Sequence, residues 1–80
     1  MYIVYILYSL SKDQYYIGHT SNLEDRLRRH NAGRSKATKH GIPWQVKHTQ
    51  SFATKSLAYR KELQLKAMKS KVFIKHLIDG

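Results

Sequence analysis

The chain contains no cysteine, and only one proline and four glycines among its 80 residues. Without thiols it has neither disulfide staples nor thiolate ligands for zinc, so a reducing, cytoplasmic setting is the natural expectation. Stability must come from packing, near the lower size limit for one core, and residues 1–80 are expected to form a single domain. Long apolar runs are missing too, and no stretch approaches the roughly 18 residues that span a bilayer. The apolar start MYIVYILYSLSK has no basic segment before it and no small-residue cleavage site after it, which argues against a signal peptide.

Acid is the scarcest chemistry. Five Asp/Glu face fifteen Lys/Arg for a net charge of +10, and the imbalance is uneven: residues 1–25 carry −2 and residues 26–80 carry +12. Charge that served solubility alone would mix its signs, so the second two-thirds reads as a polyanion-binding surface. Nucleic acid is the expected partner, DNA first, with RNA left open. A membrane surface is disfavoured, because no basic helix shows a broad Trp/Phe/Leu face.

Tyr2 to Ser9 and Gln14 to His19 are rich in Tyr, Ile and Val, with turn chemistry at Ser11-Lys12-Asp13, and read as a β-hairpin. A four-residue loop, Leu10 to Asp13, would set Leu7 across from Tyr16 and Tyr5 across from Gly18. The two phenols would then share one face as diagonal neighbours about 7 Å apart, with Gly18 leaving room over Tyr5. A three-residue loop would put them on opposite faces. Ser21-Asn22-Leu23-Glu24 reads as a capping box that starts a helix near Asn22 and runs to about Asn31, with Gly33 past its end. On its wheel Arg26 and His30 border the apolar stripe, while Arg28 and Arg29 face away.

Gly33 to Pro43 is a basic loop too long to be an idle connection. Trp44 to Ser51 alternates as a third strand, opened by Pro43. A second helix is expected from about Lys55, capped by Thr54, to about Lys69, and a short terminal helix from Val72 to Ile78. The expected fold is α/β: a three-stranded, largely antiparallel sheet flanked by helices, in the order hairpin, helix, strand, helix, short terminal helix.

Single residues carry little here. Cross-strand packing explains any one of the five strand tyrosines, a helix-end location explains His30, and a surface pair with Lys66 at i+4 explains Glu62. His19, His40, His48 and His76 show no ligand spacing, which disfavours a multi-histidine metal centre. Together, however, Ile3-Val4-Tyr5, Tyr16-Ile17-Gly18, Arg26 ten residues after Tyr16, His30, and Glu62 in Ala58-Tyr59-Arg60-Lys61-Glu62 form a recognisable set. This constellation resembles the GIY-YIG nuclease family over nearly the whole chain, with Ile3 standing where the family has its first glycine.

The resemblance implies an endonuclease that hydrolyses DNA phosphodiester bonds with one divalent metal, Mg²⁺ or Mn²⁺, in a structure-specific or repair-related role. Glu62 would hold the metal, which fits a hard cation that keeps most of its waters. Tyr5 would assist deprotonation of the attacking water, Tyr16 would hydrogen-bond within the site, and Arg26 would neutralise the phosphorane. A phenol is a poor base at neutral pH, so either nearby cations lower Tyr5 or His30 shares the proton traffic. All five residues are expected to line one concave surface. Arg28, Arg29, Arg34, Lys36 and Lys39 are the candidate phosphate contacts. The competing readings are a non-catalytic basic DNA- or RNA-binding module on the same scaffold, and a basic domain that takes its specificity from a protein partner.

Overall fold

The computed structural model describes residues 1–68 and 71–79. Strands β1 (Tyr2–Ser9) and β2 (Gln14–Thr20) form the hairpin, followed by helix α1 (Leu23–Asn31), strand β3 (Trp44–Phe52), helix α2 (Lys55–Met68) and helix α3 (Lys71–Asp79). The sheet is antiparallel in the order β2-β1-β3, so β1 is central and β2 is an outer strand. No helix among the described residues is long and apolar enough to cross a membrane.

The hairpin has the four-residue connection. Ser9 faces Gln14, Leu7 faces Tyr16 and Tyr5 faces Gly18. Asp13 takes a φ of 51°, a left-handed conformation that Asp tolerates better than most residues, and its Oδ1 accepts from the Tyr8 hydroxyl at 2.8 Å.

Alternation along β1 divides the interior into two packed layers. Val4 and Ile6, with Ile17 of β2, pack against Ala58 and Leu65 of α2 and Ile74 of α3. The opposite face carries Tyr5, Leu7 and Ser9, all fully or almost fully buried, together with His30 of α1, Thr38 and Trp44. The sheet is therefore covered on both sides, α2 and α3 on one and α1 with the loop after it on the other.

Helix α1 begins one residue later than the capping box suggests. The cap is Asn22, whose side chain accepts from the Asp25 amide at 3.0 Å. Thr20 causes the shift: its buried hydroxyl accepts from the Asn22 amide at 3.1 Å and fixes the chain entering the helix. The helix ends on Gly33 at φ 76°, with the Gly33 amide on the His30 carbonyl and the Arg34 amide on the Arg29 carbonyl, the paired bonds of a Schellman motif. Thr54 caps α2 as expected, accepting from the Leu57 amide at 3.2 Å. The expected end of that helix at Lys69 lies outside the described residues.

The basic loop from Gly33 to Pro43 is more ordered than its composition suggests. It contains a 3-10 turn, Lys39–Gly41, and turns Thr38 and Gly41 into the interior while Arg34, Lys36 and Lys39 stay exposed. A Cβ on Gly41 would lie 2.5 Å from the Trp44 ring, so glycine is what lets loop and indole pack together.

Candidate active site

Gly18 opens the site by having no side chain. A Cβ there would stand 2.6 Å from the Tyr5 hydroxyl, so the phenol lies across the outer strand through the space glycine leaves. Its hydroxyl meets His30 Nε2 at 3.1 Å, and His30 Nδ1 meets Thr38 Oγ1 at 2.9 Å. The Trp44 indole donates to the Thr38 carbonyl at 2.7 Å, fixing the loop that carries Thr38. A continuous polar chain thus runs Tyr5–His30–Thr38 through a buried layer, where unpaired polar groups would be costly.

Burial sets the ionisation of this chain. It pushes the Tyr5 phenol well above its ordinary value; Tyr16 adds to this, Arg26 opposes it, and the Glu62 charge raises it further. The cations therefore do not make Tyr5 acidic, contrary to the first of the two sequence-based routes, because desolvation outweighs them. His30 is held below its ordinary value by burial and then by Arg26, which leaves a neutral ring near pH 7. The second route, shared proton traffic between Tyr5 and His30, matches this geometry.

Tyr16 is half-buried on the same face as Tyr5, their ring centroids 6.4 Å apart, and its ring edges onto His30 at 5.0 Å. Together with Arg26, Arg29, His30, Arg34 and Ser35 it lines an open cleft of about 380 Å³. Tyr5 does not line that cleft. It is 1% exposed and sits behind Tyr16 and His30, because the gap over Gly18 lets it sink into the layer. Arg29, expected to face away, is on the cleft wall, one turn beyond Arg26, with Nε bonded to Asp25 Oδ2 at 3.1 Å. Arg28 borders a neighbouring depression with Asp25 and Arg34. Lys36 and Lys39 are exposed on the loop beyond.

Glu62 stands apart from the expected single surface. It is 8% exposed, with Oε1 on His19 Nδ1 at 2.7 Å and Oε2 on the Lys66 ammonium at 3.1 Å. His19 pairs with Val4, so it projects from the face opposite Tyr5 and Tyr16. The strand's two-residue period is what separates them, since Gly18 lies over Tyr5 and the next residue must point the other way. The gap is bridged around the outer edge of β2. One depression there joins His19 to Arg26, and another joins Lys66 to Tyr16.

Burial would raise the Glu62 carboxyl, but the bonds from His19 and Lys66 outweigh it and hold the group ionised, below the ordinary value. Among the described residues no three His, Cys, Asp or Glu converge as a metal cage. One ionised carboxylate that already accepts a cation on Oε2, from a half-exposed lysine able to swing away, fits a hydrated Mg²⁺ or Mn²⁺ that takes its other ligands from water and phosphate.

Three residues of this site have no sequence signal of their own. Thr38 is one polar residue in a polar loop, and its value depends on the loop folding inward. His19 follows from the register once α2 is known to cover that face, which local pattern does not say. Asn31 is similar: its side chain bonds both the amide and the carbonyl of Trp44, at 2.7 and 3.2 Å, clipping the end of α1 to the start of β3.

Residues 1–75 match the GIY-YIG catalytic domain. A UPF0213 protein of Halobacterium salinarum is 38% identical over 69 residues, covering 85% of this chain and 88% of its own. A UPF0213 protein of Natronomonas pharaonis is 36% identical over 66 residues, covering 81% and 76%. The solution NMR structure of a UPF0213 protein from Bacillus halodurans superimposes with a TM-score of 0.59 at 28% identity, covering 99% of this chain and 84% of that one. With the family match spanning nearly all of its length, the chain belongs to the GIY-YIG family, a nuclease-type family.

Proposed function

We propose that this chain is a divalent-metal-dependent endonuclease that hydrolyses DNA phosphodiester bonds. The observation that carries the reading is the Tyr5–His30–Thr38 chain behind a cleft walled by Tyr16, Arg26 and Arg29. A neutral imidazole on a buried phenol is an arrangement that packing does not require and proton transfer does. Among the described residues, no buried side-chain nitrogen or oxygen is left without a partner.

In the tautomer with its proton on Nδ1, His30 donates to Thr38 and offers the Nε2 lone pair to the Tyr5 hydroxyl. A water entering past Tyr16 attacks phosphorus and gives its proton to the Tyr5 oxygen as Tyr5 passes its own to His30. Burial, and then Arg26, disfavours the imidazolium, which favours return of the proton. Arg26 also lines the cleft, where its guanidinium stabilises charge building on the phosphorane, and Tyr16 hydrogen-bonds a phosphate oxygen. The P–O bond to the leaving oxygen then breaks. A divalent ion held by Glu62 would supply Lewis-acid stabilisation of that oxygen. Arg28, Arg29, Arg34, Lys36 and Lys39 hold the flanking phosphates, and a structure-specific or repair-related role suits so small a reading surface.

A second reading has its own observation. Glu62 is engaged by His19 and Lys66 and separated from Tyr5 by the β2 backbone, as in a scaffold kept for binding DNA or RNA without cutting it. Cleavage of nicked, flapped, branched and single-stranded DNA with Mg²⁺ or Mn²⁺, by wild type and Tyr5→Phe, separates the two. Loss of the hydroxyl should slow cleavage by about 10² or more, the usual scale for a positioned proton-transfer group. Absence of cleavage by wild type across the panel would leave the binding reading.

A further inference from the structure

A second cavity, of about 350 Å³, lies beyond the active cleft, at the hairpin end of the sheet. Tyr8 and Tyr15 form its floor with ring centroids 4.9 Å apart, and Lys47, Lys71 and Lys75 stand around it. Neither the proton chain nor the carboxylate uses these groups. Its position is what gives it meaning. The cavity shares Tyr15 with a smaller depression that holds Tyr16 and Lys66, and that depression shares Tyr16 with the active cleft. A path linked through these shared residues therefore runs from the active cleft over Tyr16 and Tyr15 of β2 onto the α3 face of the sheet, with a half-buried tyrosine at each junction and exposed lysines along it.

We propose that this path holds a single-stranded DNA arm continuous with the strand whose phosphodiester lies in the active cleft. Aromatic faces interleaved with lysines are what an unpaired strand needs, because its bases are free to stack and its phosphates meet cations. A duplex fits poorly, since paired bases cannot reach half-buried tyrosine rings between helix α3 and the sheet. Asp13 and Asp79 also border the outer cavity and reduce its positive charge. Asp13, however, is paired to Lys71 at 3.0 Å, an exposed contact that phosphate can displace. The inference deepens the nuclease reading by naming its substrate class: DNA with an unpaired arm next to the cut.

The test is binding in EDTA, where cleavage is excluded. Full-length protein is titrated by fluorescence anisotropy onto a blunt duplex and onto the same duplex with unpaired arms at one end. The armed DNA should bind more tightly to wild type. Tyr15→Leu, which keeps apolar packing but removes the stacking face, should weaken the armed DNA by about 5- to 30-fold, the scale of one lost base stack. It should leave the blunt duplex within about twofold, and Tyr15→Phe should restore the preference. Should Tyr15→Leu fail to fold by circular dichroism, the exposed pair Lys71→Gln/Lys75→Gln decides alone. It should lower the salt slope for armed DNA by about 1.4, two single-strand phosphate contacts. Equal wild-type affinities, or equal losses on both DNAs, would overturn the path. An arm preference in a protein that cuts nothing would keep the path and refute the nuclease reading, whereas cleavage without arm preference would do the reverse.

Discussion

At Gly18 a single missing methylene sets the position of the buried phenol, since any Cβ there would stand 2.6 Å from the Tyr5 hydroxyl and 2.8 Å from its ring. The ring is fully enclosed and bonded to His30, so it has little room to retreat. Gly18→Ala should therefore destabilise the protein by about 1–3 kcal/mol, the usual cost of overpacking a tight interior. Urea unfolding measures this, and an unchanged midpoint would mean that Tyr5 does not occupy that space. Residue-scale features were legible in the sequence where they depend on register. The Tyr5–Gly18 pairing and the shared face of Tyr5 and Tyr16 follow from one loop length. Glu62 beside His19 and Thr38 beneath His30 do not, because those contacts join positions 43 and 8 residues apart through a helix docking and a loop fold that no local pattern records.

Element boundaries follow from caps and clips. Ser21 and Asn22 are both good cap residues, and Glu24 makes the capping box beginning at Ser21 look complete; the Thr20 hydroxyl settles the choice for Asn22 through a bond that sequence pattern does not weigh. At the other end of α1, Asn31 satisfies both backbone groups of Trp44, and Trp44 in turn holds the Thr38 carbonyl. Asn31→Ala leaves an amide and a carbonyl without partners in a partly buried seam. It should cost about 1–3 kcal/mol of stability and loosen the loop that positions His30. Hydrogen exchange at the Trp44 amide reports the clip directly: faster exchange is expected, and unchanged protection would show that α1 and β3 are held together by something else.

For the whole molecule, a three-stranded antiparallel sheet flanked by helices was legible from strand alternation and helix caps, whereas the face each helix covers was not, because α2 leaves Leu57, Leu63 and Met68 exposed and carries no single apolar stripe. What periodicity could not give is that the sheet divides the site. Tyr5, Tyr16, Arg26 and His30 gather on the α1 side, while Glu62 is held by α2 on the other, and depressions around the edge and end of β2 connect them. A nuclease reading requires substrate to wrap that edge, touching Arg26 and the Glu62 carboxylate together. The most direct measurement is Mg²⁺-dependent cleavage by Glu62→Gln beside its DNA binding in EDTA. The substitution keeps shape and hydrogen bonding but removes the charge a hard cation needs, while the basic surface of a chain with net charge +10 is left in place. The account predicts that cleavage is abolished and binding stays within about twofold. Cleavage by Glu62→Gln at the wild-type rate would contradict it.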